Sequence, residues 1–124
     1  MKIVFMGTPD FAVPSLQKIV ESDLDVVGIV TRPDKPRGRG QKLQATEVKA
    51  AAQTLGLNVP ILQPESLKSK SFQEDLKALN ADLFAVVAFL ILPKSVLAIP
   101  RLGSVNVHPS LLPKYRGAAP IQWA

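Results

Sequence analysis

Apolar residues in this chain gather in short unbroken runs, separated by stretches in which they return every three or four positions. Lys2–Met6, Asp25–Thr31 and Leu83–Phe89 are runs rich in Val, Ile and Phe with few polar residues inside them. Such runs predict strands covered on both faces. Gly103–His108 is a further strand, stopped by Pro109, and Asn58–Leu62 is a short one. Helical spacing lies between them. Ala12, Leu16, Ile19 and Val20 follow the turn Gly7-Thr8-Pro9-Asp10, where Asp10 is predicted to cap the helix and Pro14 fits its first turn. Thr46–Leu55 is predicted to be helical, with Gly56 as its stop. Ser71 and Glu74 read as a capping box ahead of Leu76 and Leu79, and Asn80 ends that helix. Ala118–Ala124 reads as the start of a helix with Pro120 in its first turn and no closing residue, as if the natural chain continued.

Strands that alternate with helices and are apolar on both faces predict an α/β fold. The expected architecture is one open, doubly wound, mostly parallel sheet over residues 1–124, with helices on both faces and right-handed crossovers. No repeat, low-complexity tract or linker divides it. Ligands of such sheets sit at the carboxyl ends of the strands. Here those ends are Gly7-Thr8, Thr31-Arg32, Phe89-Leu90 and His108-Pro109.

Charge sharpens this picture. The chain carries a net +5, and residues 32–42 (RPDKPRGRGQK) hold most of it: Arg32, Lys35, Arg37, Arg39 and Lys42 against Asp34 alone. Two Pro and two Gly in the same segment predict a loop. It is either a solvated loop or a cationic arm for a polyanion such as RNA; without an aromatic it would hold a backbone and not stack bases.

Composition removes several classes of chemistry. With no Cys there is no disulfide framework, thiolate metal site or Cys nucleophile, and one His excludes a multi-histidine metal centre. The apolar run near the start, Ile3–Met6, is too short for a signal-peptide core, and the longest, Leu83–Leu92, is about half of what spans a bilayer. A soluble cytoplasmic protein with no membrane contact is expected. The first strand is followed by a single Gly, so the G-x-G-x-x-G dinucleotide fingerprint is missing, as is a Walker pattern. Gly7-Thr8 is either a plain turn or a holder for one phosphate or carboxylate.

Asn106-Val107-His108 is the stretch richest in chemistry. Positions i and i+2 of a strand share a face, so Asn106 and His108 are predicted neighbours, with Val105 and Val107 opposite. They either finish a strand with hydrogen bonds or serve acyl transfer to an amine. In the second case the neutral imidazole, whose ordinary pKa is about 6.5, helps remove the amine proton. The Asn amide would then donate to the oxygen that gathers charge.

Asn106-Val107-His108-Pro109-Ser110-Leu111-Leu112-Pro113 resembles a motif of the formyltransferases that use 10-formyltetrahydrofolate. The resemblance implies their Rossmann-like fold, catalytic roles for Asn106 and His108, and folate contacts from Ser110, Leu111, Leu112 and Pro113. It also implies contacts to the pterin from Leu90, Ile91 and Leu92, chiefly through the backbone of Leu90 and Leu92. Where many members have Tyr-Gly plus one further residue before Ile-Leu-Pro, this chain has Phe89-Leu90. The stretches Met6–Ala12, Arg32–Pro36 with Gly38-Arg39-Gly40, and Tyr115–Ile121 are similar to those members that formylate methionyl-initiator tRNA. That implies tRNA contacts from Arg37, Arg39 and Lys42, a folate co-substrate and no metal. The family's third catalytic residue, an Asp, and its C-terminal RNA-binding domain fall beyond residue 124. Residues 1–124 alone are therefore expected to be inactive or nearly so. Two rivals remain: a formyltransferase for another amine, such as a nucleotide-linked amino sugar, and an RNA-binding module without activity.

Overall fold

β1 (Lys2–Gly7) is apolar from Ile3 to Met6 because it lies mid-sheet with both faces covered. The computed structural model describes residues 1–37, 42–107 and 121–123. β1 pairs in parallel with β2 (Asp25–Val30) on one side and β6 (Leu83–Val87) on the other. β2 continues in parallel to β5 (Ile61–Leu62), and β6 to β7 (Ser104–Val107). The sheet order is β5-β2-β1-β6-β7-β8, so the chain reverses direction of travel between β1 and β6. This is the doubly wound, mostly parallel sheet that the apolar runs predict.

Each face has its own core. Ile3, Phe5, Ala85 and Val87 pack with Leu16 of α1 (Val13–Glu21) and with Val48 and Ala52 of α2 (Glu47–Thr54). Val4, Met6, Phe84 and Val86 pack with Phe72 and Leu76 of α3 (Lys70–Ala78) and Val96 of α4 (Lys94–Leu97). Successive strand residues thus feed opposite cores, as a strand period of two requires. Burial of this apolar surface is what stabilises the layers.

Several boundaries differ from the sequence expectation. Ile121–Trp123 forms β8, antiparallel to β7, and not the start of a helix. A β-branched and an aromatic residue suit a strand, and the free edge of β7 offers hydrogen bonds that an isolated helical turn lacks. Within the expected loop 32–42, Lys35–Arg37 (β3) and Lys42–Gln44 (β4) pair as an antiparallel hairpin. Its side chains on β4 are exposed, so no hydrophobic pattern announced it. Asp10 does not cap α1; it begins a 3₁₀ turn, Asp10–Ala12, whose N-cap is Pro9. Pro14 does sit in the first turn of α1. Ser69, not Ser71, caps α3, its Oγ accepting from Phe72 N at 3.3 Å. The short strand shrinks to Ile61–Leu62, and β6 ends at Val87. Gly56 and Asn80 end α2 and α3 with φ of +73° and +54°, as glycine and asparagine readily do. Among the described residues, no helix is long and apolar enough to cross a membrane.

Gly7 is fixed by close approach and not by backbone freedom. A Cβ there would lie 2.8 Å from the Val87 carbonyl oxygen and 3.0 Å from the Phe5 ring. Gly7→Ala is therefore expected to destabilise the fold by about 1–3 kcal/mol. Urea unfolding with an unchanged slope and a lowered midpoint checks this; an unchanged midpoint contradicts it.

Candidate active site

The reversal between β1 and β6 opens a crevice at the carboxyl edge, the usual ligand position in open α/β sheets. Val87 ends β6, and Ala88 follows with φ +50°, a left-handed conformation that costs a non-glycine residue about 1–2 kcal/mol. That bend turns the chain out of the sheet into Phe89–Pro93 before α4. An open groove of about 600 Å³ lies here, lined by Ser66, Leu67, Lys68, Phe89, Leu90, Ile91 and Pro93. Leu90 is 41% exposed and Ile91 95%, while Leu92 is only 8% exposed and packs in the core beside α3 and α4. Large apolar side chains left this open to water beside a groove are a ligand-binding signal.

The opposite wall is held by a residue that the sequence reading passed over. Gln73 on α3 donates from Nε2 to the Leu67 carbonyl at 3.0 Å and to Ser95 Oγ at 2.9 Å. One amide thus ties the 66–68 segment to α3 and to the start of α4. Nothing in the sequence pattern separates Gln73 from an ordinary exposed helix residue.

Asn106 lies in β7 opposite Val86 of β6 and Gln122 of β8. Val86 belongs to the α3/α4 core, and Val107 packs against the other core. Asn106 is therefore on the sheet face that α3 and α4 cover, the face from which Phe89 reaches the same core. It is half-buried, and Ser104 on the same face has a buried Oγ without a hydrogen-bond partner among the described residues. This side of β7 is polar where β6 beside it presents Phe84 and Val86. His108, Ser110, Leu111, Leu112 and Pro113 lie outside the described residues, as does Arg39. Arg37 and Lys42 are backbone partners across β3 and β4, and Lys42 is exposed. Among the described residues, no three of His, Cys, Asp and Glu gather as metal ligands would.

The basic hairpin is anchored at its base. Lys49 Nζ of α2 donates to the Asp34 carboxylate at 3.2 and 3.3 Å and to Gln63 Oε1 at 3.0 Å. Gln63 Nε2 in turn donates to Asp34 Oδ1 at 2.6 Å and to the Arg32 carbonyl at 3.1 Å. Beneath it, the buried hydroxyls of Thr31 and Thr46 share a hydrogen bond of 2.7 Å, and Thr46 Oγ1 caps α2 through Lys49 N. The Gln63 amide, followed by Lys49, holds the Asp34 carboxyl below its ordinary pKa.

A switch-point crevice with an apolar groove and an Asn on the same face defines an α/β ligand-binding domain. The chain belongs to the formyl transferase family, whose sequence profile matches residues 1–124. It is 57% identical over 124 residues to the methionyl-tRNA formyltransferase of Clostridioides difficile, covering 99% of this chain and 40% of that protein. It is 58% identical over 125 residues to that of Parabacteroides distasonis, covering 100% and 38%. The chain thus spans about two fifths of the length of these curated relatives. Among solved structures, phosphoribosylglycinamide formyltransferase of Anaplasma phagocytophilum shares the fold, with a TM-score of 0.60 at 18% identity over 95% of this chain and 54% of that one. The family resemblance carried by the Asn-His motif is borne out.

The Asp34 anchor is directly testable by titration. Because the folded pKa is depressed, the anchor's contribution is present above the unfolded carboxylate range and is lost as pH falls through the folded value. The Gln63 side-chain amide resonances are expected to move with a midpoint below that of an ordinary Asp, and Asp34→Asn should abolish the movement. A midpoint at the ordinary value contradicts the anchor.

Proposed function

We propose that this chain forms the formyl-donor site, and one wall of the acceptor site, of an enzyme that formylates the α-amino group of methionyl-initiator tRNA. The donor in this reading is 10-formyltetrahydrofolate, which supplies an activated one-carbon unit when bound. The observation that carries the reading is Asn106, a half-buried amide on the sheet face that also bears the groove of Phe89–Pro93. Family membership and the methionyl-tRNA formyltransferase relatives support it.

The groove's chemistry fits a flat heterocycle edged with donors and acceptors. The extended segment around Leu90 and Ile91 offers apolar surface for the ring and backbone groups for its edge, and about 600 Å³ is a usual volume for a small-molecule site. Leu92 anchors the segment in the core and so fixes the height of the backbone before it. Ser110, Leu111, Leu112 and Pro113 complete the donor site in this reading.

When an amine attacks a formyl carbon, the carbonyl oxygen gathers negative charge and the nitrogen must lose a proton. The Asn106 amide donates to that oxygen from a rigid strand, so little reorganisation is needed. His108, two positions further along the sequence, accepts the amine proton in this reading. In this reading Arg37, Arg39 and Lys42 contact phosphates of the acceptor RNA, which makes binding salt-sensitive. The enzyme works in the cytoplasm, where translation takes place.

In the intact protein, Asn106→Ala is expected to lower kcat about 10²–10³-fold. His108→Ala should lower it strongly as well, with KM for the RNA nearly unchanged in both. Steady-state formylation of charged tRNA checks this. Unchanged turnover removes the residue from the mechanism, and no formyl transfer by the unsubstituted protein leaves an RNA-binding module.

A further inference from the structure

A second, smaller cavity lies on the carboxyl edge, away from the groove. It encloses about 90 Å³ between Thr8, Arg32, Pro33, Lys35, Gln44 and Thr46. That is about three water molecules' worth of space, the size of one tetrahedral oxyanion. Its walls come from three places: the turn after β1, the segment leaving β2, and the return from β4 into α2.

Asp34 is the acid between Arg32 and Lys35, and it is committed to Lys49 and Gln63. Among the described residues neither Arg32 nor Lys35 has an ion-pair partner. The backbone that carries Arg32 is also fixed on both sides. Its N–H donates to Thr8 Oγ1 at 3.3 Å, and its carbonyl accepts from Gln63 Nε2 at 3.1 Å. Pro33 removes a further degree of freedom. A half-buried guanidinium on such a base is arranged for an anion before the anion arrives, which lowers the ordering cost of binding. Thr8 keeps a hydroxyl proton to donate, because its oxygen is the acceptor in the Arg32 bond.

The geometry points to a phosphate-binding subsite built from Arg32, Lys35 and Thr8, which takes one backbone phosphate of the acceptor RNA. The inference rests on the function proposed above and deepens it. The cations of the hairpin, exposed Lys35 among them, attract the RNA at long range, and half-buried Arg32 fixes its register beside the crevice. A flexible surface lysine holds a phosphate loosely; a planar guanidinium in a cavity holds it in one orientation.

The test uses the intact protein and a short RNA hairpin with a single-stranded 3′ end. Binding is measured by fluorescence anisotropy from about 50 to 200 mM salt, with inorganic phosphate as competitor. Arg32→Gln leaves the backbone bonds in place. It is expected to weaken RNA binding about tenfold and to lower the slope of log K against log salt by about one. Arg32→Lys should keep the salt slope and lose part of the affinity, and phosphate should compete less well against the Arg32→Gln variant. Unchanged affinity and slope in Arg32→Gln, with Arg39→Glu still weakening the RNA, overturns the subsite and leaves the proposed function standing. No effect from either variant overturns both. Phosphate binding that depends on Arg32 while RNA binding does not makes this a site for free phosphate and overturns the RNA assignment.

Discussion

The parallel pairing of β1 with β6, carried through to Gly7 opposite Val87, is the constraint on which the site depends. At that last step the strands are so close that a single methyl group on Gly7 would press on the Val87 carbonyl. Because the two strands end together, the chain must leave both of them at one edge and at one height. The exit from β1 becomes the wall at Thr8, and the exit from β6 becomes the bend at Ala88. The strand order reverses between these two exits, so among the described residues the helices after β1 and β6 leave to opposite sides. A crevice follows from topology, and side chains from four loops then decide its chemistry.

Two uses of positive charge stand side by side at this edge. Lys49 is spent internally, pairing with Asp34 and Gln63 to fix where the hairpin leaves the sheet. Among the described residues, Arg32 and Lys35 carry no such pairing. The division follows from geometry: Lys49 projects from a rigid helix into a partly buried pocket, where an unpaired ammonium would be costly. A polyanion approaching this edge therefore meets cations on a backbone that the Lys49–Asp34–Gln63 contacts hold in place. Exposed pairs such as Arg101 with Asp82, at the opposite ends of the strands, contribute little by comparison.

The parts of the fold legible in the sequence are those built by hydrophobic burial. β1, β2 and β6 show as apolar runs because both their faces are covered, and α1 shows its period because it buries one stripe. The hairpin β3–β4 was hidden, since backbone pairing among Lys, Pro and Arg leaves no apolar trace. β8 was misread because Ile121-Gln122-Trp123 after a proline suits a helical first turn as well as an edge strand, and only the neighbouring β7 decides between them. Asn106 was legible as a polar residue where an apolar one was due. Leu90 was legible as a strand end on the binding edge, and its role and that of Ile91 were reached through family resemblance. Gln73, Gln63 and Lys49 were not legible, because a polar residue on a helix or loop becomes structural only through partners distant in sequence.

The central claim is that one sheet face presents both the donor groove at residues 89–91 and the Asn106 amide to the same reacting carbonyl. A structure of the intact protein with a non-reactive formyl-folate analogue tests this most directly. The account predicts the heterocycle against the Leu90–Ile91 backbone and the Asn106 side-chain nitrogen within about 2.7–3.1 Å of the formyl oxygen. A heterocycle seated elsewhere, or an Asn106 amide turned away from that oxygen, would contradict it.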